Sequence, residues 1–346
     1  MTSHMLREIE TQGDAWAGAL EAVTAGGEAL AAALQGAARE TLILGAGSSY
    51  YLGLAARGAF LRRGVTAHAA PASEVLLHPE LYPLARGGLA VAVSRSGTTT
   101  ETLRAAAKLG AAGALAVGVT TAPGTPIADA CDHVVTIPAA AEASTVQTRS
   151  FSAQLVATMA LAAVQAGDDA TLTALGRLPT LAPEWIARLE ATLAPLATVP
   201  ERIYVLGTGD LWGIAMEGAL KLKETSLTEA EAFQTLEFRH GPQSMVDENT
   251  LVVGLVGDDA GGAETAVLSE MVALGARVLM ICEDPARAGR VPNAQFLAIG
   301  SGLPLEARLP LYLPPLQLIA HQRGVHKGLD PDHPRHLRFS IELERI

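Results

Sequence analysis

The chain has 346 residues, enough for about two domains that each bury a real core. Hydrophobic residues make up 49% and charged residues only 18%, a balance that excludes disorder. The formal net charge of −11 argues against a broad nucleic-acid or anionic-membrane surface, yet leaves room for a small phosphorylated ligand held by a local cluster of donors. Two cysteines, Cys131 and Cys282, suggest no disulfide framework, and no uninterrupted apolar run reaches bilayer length. With no secretory signal in view, a soluble, cytosolic protein is expected.

Leu6 to Leu34 has helical spacing and abundant alanine, so a leading helix or helix pair is expected. Thr41 to Gly47 reads as a short buried strand ending in glycines, followed by Ser48, Ser49 and a helix through Arg62. A second strand is expected at Val65 to Ala70 and a third at Gly88 to Val93, and the latter runs into Ser94-Arg95-Ser96-Gly97-Thr98-Thr99-Thr100-Glu101-Thr102. Leu103 to Ala116 then reads as a helix. A strand that turns through hydroxyls and a glycine into a helix start offers free backbone N–H groups, hydroxyl donors and the positive end of a helix dipole. That suits a phosphate monoester; taken alone, a Ser/Thr-rich helix cap is the plainer reading. The stretch lacks the P-loop and Gly-x-Gly-x-x-Gly patterns, so neither nucleotide reading is favoured.

Further strands are expected at Ala114 to Thr120 and His133 to Pro138, and a long apolar helix from about Thr148 to Ala166. This alternation implies a parallel sheet covered on both faces. Leu175 to Pro200, with four prolines, reads as a helix-bearing connection. The pattern then restarts: Arg202 to Gly209 repeats the strand-then-glycine character of Thr41 to Gly47, and Thr250 to Gly257, Ala276 to Cys282 and Gln295 to Gly300 read as later strands. The counterpart of the Ser94 turn is Gly257-Asp258-Asp259, whose carboxylates would repel a phosphate. A helix at Tyr312 to Gly324 and an irregular tail from Lys327 close the chain.

Three hydroxyl-bearing turns, at Ser48-Ser49, at Ser94 to Thr99 and at Ser144-Thr145 with Gln147-Thr148, fall near strand ends, where loops of an open parallel sheet converge on a ligand. A second cluster lies in Met216 to Glu224. On a helix Glu217, Lys221 and Glu224 share a face, which by itself is a solvated salt-bridge face or, functionally, a base (Glu224) with a lysine beside it. Downstream, His240 sits in a Gly-Pro loop, where it is either a structural hydrogen-bonder or a proton donor. None of the nine histidines shows metal-ligand spacing, and no metal or organic cofactor is expected.

Taken together, Met5-Leu6-Arg7-Glu8-Ile9-Glu10-Thr11-Gln12, Gly47-Ser48-Ser49-Tyr50, Ser94 to Thr99, Glu217 to Glu224, Arg239-His240-Gly241-Pro242 and Asp332-His333-Pro334-Arg335-His336-Leu337 resemble, in order, the double sugar-isomerase-domain (SIS) family. That family includes the isomerase half of glucosamine-6-phosphate synthase and the stand-alone sugar-phosphate isomerases and aminosugar-phosphate deaminases. The resemblance implies an α/β fold of two tandem SIS domains, each a doubly wound, flavodoxin-like parallel sheet: a helical segment over 1–30, domains over 31–185 and 195–330, and a tail over 331–346 near the active site. It implies that Ser49, Ser94, Arg95, Ser96 and Thr99 hold the phosphate, with Arg95 where the synthase has a glutamine, and that Ser48, Thr145 and Gln147 line the sugar. Glu224 would shuttle a proton between C1 and C2, Lys221 would stabilise the oxyanion, and His240 would open the ring from a neighbouring subunit of a homodimer.

Two departures from the family pattern stand out. The glutamine-hydrolysing half is not expected, so any amino group would come or go as free ammonia. The family's imine-forming lysine position is Phe339 here, and Arg338 stays protonated and cannot replace it. Enediol chemistry needs only acid–base groups and an oxyanion stabiliser, so it survives this change. The alternative from another class is a non-catalytic sugar-phosphate sensor, which Phe339 favours and the retained Glu224, Lys221 and His240 disfavour.

Overall fold

A computed structural model describes residues 3–196, 198, 200–258 and 261–344. Asp259, named above, lies outside the described residues, as do positions 345 and 346. The chain divides into two compact units, Thr11–Thr180 with His336–Ile346, and Met1–Glu10 with Leu181–Arg335.

The first unit holds strands β1 (Glu40–Gly45), β2 (Thr66–Pro71), β3 (Leu89–Val93), β4 (Leu115–Thr120) and β5 (His133–Thr136). They form one parallel sheet in the order β2-β1-β3-β4-β5. The register places Thr41 beside Leu89 and Leu89 beside Leu115. All five residues of β3 are buried, as a continuous apolar run must be when helices cover both faces. The helix Arg149–Ala166 is buried through most of its length and packs against the helices Gln12–Ala25 and Ser48–Leu61. Some of its buried polar groups are paired: Ser152 Oγ accepts from Trp16 Nε1 (2.8 Å) and donates to Gln12 Oε1 (2.7 Å), and Gln154 Nε2 donates to the Val119 carbonyl (2.9 Å).

The second unit repeats the plan with β6 (Arg202–Gly207), β7 (Glu229–Phe233), β8 (Thr250–Leu255), β9 (Arg277–Cys282) and β10 (Gln295–Ala298), ordered β10-β9-β8-β6-β7. Read from β7 this is the order of the first sheet, so the internal repeat extends to topology. The helix Asp210–Ser226 lies so close to the helix Leu313–His326 that a Cβ on Gly218 would stand 2.5 Å from Leu316 Cδ1. The N-terminal helix His4–Glu10 is tied to this unit by its first N–H groups: His4 and Met5 donate to the Asp332 carboxylate at 2.8 and 2.7 Å.

The sequence reading differs from the structure at three places. The Leu6–Leu34 stretch is three helices, His4–Glu10, Gln12–Ala25 and Gly27–Gly36. The helix expected over Leu103–Ala116 is Thr100–Ala111, because Gly113 takes a positive φ of 98° and turns the chain into β4. Strand β7, Glu-Ala-Glu-Ala-Phe, was not anticipated: it is a short edge strand with alternating glutamates, not an apolar run. Among the described residues no helix is long and apolar enough to cross a membrane.

Candidate active site

In a 2-1-3-4-5 sheet the connections leave in opposite directions from β1 and β3, and their carboxyl ends border the crevice where ligands bind. Ser48 and Ser49 open the helix that follows β1, and Ser94 follows β3 directly. Ser48, Ser49, Ser94, Arg95 and Ser96 are all buried. The loop is held in shape from within. Ser94 Oγ accepts from the Gly97 N–H (3.1 Å) and donates to Thr99 Oγ1 (3.1 Å), while Ser96 Oγ accepts from the N–H and hydroxyl of Thr98 at 3.2 and 3.0 Å. The Arg95 carbonyl accepts from the hydroxyls of Thr120 and Thr121, both at 3.0 Å. Gly97 has φ +65°, and a Cβ there would lie 2.0 Å from Thr125 Oγ1, so only glycine fits. Thr99 precedes the helix Thr100–Ala111, whose first N–H groups supply the electropositive end that favours an anion.

The third hydroxyl loop is organised by a residue the sequence reading did not single out. Glu142 has a fully buried side chain. Its Oε1 accepts from Thr148 N (2.6 Å), Thr148 Oγ1 (2.8 Å) and Ser150 N (3.0 Å), and its Oε2 accepts from the Ser150 hydroxyl and from Arg95 Nη1 (3.3 Å). An acid six residues ahead of Thr148, at the start of a helix, is a capping-type signal that could have pointed to it. Thr145 and Gln147 are half-buried on this loop, and Gln147 Oε1 is buried with no hydrogen-bond partner among the described residues.

Arg95 does more than the sequence reading assigned it. Besides Glu142, its guanidinium donates through Nη2 to the Thr145 carbonyl (2.8 Å) and to the Phe339 carbonyl (2.9 Å), and it lies 3.8 Å over the Phe339 ring. Its buried Nε has no hydrogen-bond partner among the described residues. The irregular tail meets the same loop: Ser340 Oγ is 3.0 Å from Ser96 Oγ and 2.8 Å from Thr98 Oγ1, and Leu343 N donates to Thr100 Oγ1 (2.8 Å).

In the other unit, the helix Asp210–Ser226 carries the acid–base cluster. Glu217 and Lys221 are fully buried, which overturns the reading of this face as a solvated salt-bridge ladder. The Glu224 side chain keeps 18% of its surface open. Lys221 Nζ is 3.2 Å from Glu217 Oε1 and contacts Glu224 Oε2. Burial alone would lower the Lys221 pKa, but the charges and hydrogen bonds of Glu217 and Glu224 outweigh it, and the net direction is up. The side chain is an ammonium at neutral pH, a fixed positive charge beside a carboxylate. His240 is exposed, on the loop after the short turn Glu237–Arg239. That turn is pinned by Arg239, which donates to Glu270 through Nε (2.8 Å) and Nη2 (2.6 Å). None of the described hydrogen bonds joins the His240 ring to Lys221 or Glu224.

A model of the SIS domain matches residues 36–164 and 197–288, which together cover most of the chain. The chain belongs to the SIS domain family. The first matched segment spans the whole first sheet and the second spans β6 to β9. A glutamine–fructose-6-phosphate aminotransferase (isomerizing) of Pyrobaculum aerophilum is 34% identical over 320 residues, covering 89% of this chain and 52% of that protein. The chain thus spans about half the length of the curated relatives it matches. The C-terminal domain of glucosamine-fructose-6-phosphate aminotransferase from Francisella tularensis superposes with a TM-score of 0.86 at 25% identity, over 96% of this chain and 99% of that one. Glucosamine-6-phosphate deaminase from Thermotoga maritima gives 0.81 at 29% identity, over 99% and 100%.

Within the second SIS domain, the counterparts of the Ser48 and Ser94 turns are bridged by a carboxylate of the chain itself. Buried Glu264 accepts from the Gly257 N–H through Oε2 (2.9 Å) and from the Thr208 hydroxyl through Oε1. Asp258 is paired with Arg308. The two SIS domains therefore share a fold but differ in the side chains at these turns.

Proposed function

We propose that this SIS-domain protein is a sugar-phosphate enzyme acting on a hexose 6-phosphate of the fructose 6-phosphate or glucosamine 6-phosphate type. It interconverts ketose and aldose, or deaminates the amino sugar with water to give the ketose and ammonia, by proton transfer between C1 and C2 through an enediol(ate). The observation that carries this reading is Lys221, a buried ammonium held between Glu217 and the partly open Glu224.

Glu224 carries the proton from one carbon to the other. Lys221 stabilises the oxyanion that develops as the C–H bond breaks, a role for which a buried fixed charge is well suited. Its raised pKa makes it a poor imine-forming nucleophile, and Phe339 offers none, so both point to acid–base chemistry without a covalent intermediate. Ser49, Ser94, Ser96, Thr99 and the Arg95 Nε–H hold the phosphate with the helix N–H groups, and Ser48, Thr145 and Gln147 line the sugar. His240 opens the ring, presented to a second copy in a homodimer. Its exposure, beside exposed Leu236 and Met245, suits an interface loop. The similarity to the aminotransferase and the deaminase named above supports this substrate class.

The test is Glu224→Gln, which keeps the shape and removes the base. Turnover of glucosamine 6-phosphate or fructose 6-phosphate should fall by about 10²–10⁴-fold, while calorimetric affinity for the same sugar is retained. Unchanged turnover removes Glu224 from the chemistry. Tight binding by the wild-type protein without turnover favours the sensor reading, for which Phe339 is the motive.

A further inference from the structure

Arg95 and Phe339 lie 244 positions apart in the chain and meet in the structure. The guanidinium is fixed from the domain side, by fully buried Glu142 and the Thr145 carbonyl. On its other side it takes the Phe339 carbonyl at 2.9 Å and the Phe339 ring at 3.8 Å. Phe339 remains 45% exposed, so it is a docked residue and not a core one. Directly after it, Ser340 enters the hydroxyl cluster of Ser96 and Thr98.

We propose that Arg95 and Phe339 form one positioning device: the guanidinium docks the C-terminal segment, residues 339–343, on the phosphate loop, and the docked segment adds the Ser340 hydroxyl to the donors that hold a substrate's phosphate. The second half of this statement rests on the phosphate reading given above. A cation over an aromatic face is attractive, whereas an ammonium in the same place would face a guanidinium at contact distance. An arginine at 95 is thus incompatible with a lysine docked at 339. Arg95 acts by placing other donors.

Hydrogen exchange of the full-length protein, read by mass spectrometry over residues 337–346 without any sugar, tests the docking; peptides of the helix Arg149–Ala166 report whether the fold is intact. Because Phe339 is half-exposed, its variants should fold. F339K should exchange about tenfold faster in the segment than wild type, since local protection follows local stability, with the helix unchanged. F339W, which keeps the stack, should match wild type. R95Q/F339K removes the like charge and leaves Glu142 to face the new ammonium, so it should exchange more slowly than F339K. Wild-type exchange in F339K overturns the docking, and a double variant no slower than F339K overturns the like-charge reason given for it; should R95Q/F339K fail to fold, the F339K and F339W comparison decides. For Ser340, S340A should keep the segment protected yet bind glucosamine 6-phosphate about fivefold more weakly, the loss of roughly one hydrogen bond. Equal affinity removes Ser340 from the cradle. If the wild-type protein binds no sugar phosphate, the function proposed above and the Ser340 role built on it fail together, while the exchange comparison still decides whether Arg95 docks the segment.

Discussion

Replacing Lys221 with methionine removes a positive charge from a place with no water to take over its role. Lys221 is fully buried, its ammonium 3.2 Å from one carboxylate and in contact with another, and Glu217 is itself fully buried. Breaking a buried ion pair from one side costs about 3–5 kcal/mol, because the partner charge stays buried and uncompensated. For a unit of this size each kcal/mol moves the melting temperature by about 2–4 °C, so K221M should melt roughly 6–20 °C below wild type at pH 7.5. The deficit should depend on pH with a definite sign. In wild type the raised Lys221 pKa means that its stabilisation is complete below the ordinary value of 10.5 and is lost only as pH climbs through the higher folded value. In K221M the stranded Glu217 takes a proton more readily when folded than when unfolded, so folding is favoured at low pH and penalised as pH rises. The gap to wild type should therefore narrow between pH 7.5 and pH 5, and E217Q/K221M should recover much of the loss at pH 7.5. Calorimetric melting across that range is the assay. A K221M protein that melts within 2 °C of wild type at pH 7.5, or a gap that widens towards pH 5, would refute the account of this cluster (thresholds on the order of the scatter expected for a surface change).

Two further variants probe the loops. Glu142→Gln strands the buried Arg95 charge and weakens five accepted hydrogen bonds, so it should cost about 3 kcal/mol in thermal or denaturant unfolding and should weaken sugar-phosphate binding in the same preparation. In the second SIS domain, burial raises the Glu264 pKa above its ordinary 4.5, against the bonds from Thr208 and Gly257. Its favourable contribution is therefore present below 4.5 and lost as pH rises through the folded value. Glu264→Gln can still accept from Gly257 and can donate to Thr208, so its melting temperature should gain on wild type from pH 4 to pH 7; a gain in the opposite direction contradicts the burial argument.

What was legible in the sequence was what is encoded locally. β3, β4 and β8 are continuous apolar runs because both faces of a parallel sheet are covered, and the Ser94–Thr99 turn shows its donors in consecutive residues. β7 escaped because an edge strand can carry alternating glutamates. The i, i+4, i+7 spacing of Glu217, Lys221 and Glu224 gave a shared face but not its burial, which depends on what packs around it. The links of Arg95 to Glu142 and Phe339 span 47 and 244 positions, and no local pattern announces such pairings. Glu264 was hidden for the same reason: a carboxylate that bonds distant turns of its own domain looks, in sequence, like any helix glutamate.

The most direct test of the central claim is proton NMR of the purified protein with fructose 6-phosphate and, separately, glucosamine 6-phosphate in deuterated buffer. Enediol chemistry at Glu224 predicts deuterium at C1 or C2 in the wild type, with ammonia released if the amino sugar is the substrate, and no deuterium with E224Q. Exchange that persists in E224Q, or a wild-type protein that binds either sugar phosphate and exchanges neither carbon, would contradict it.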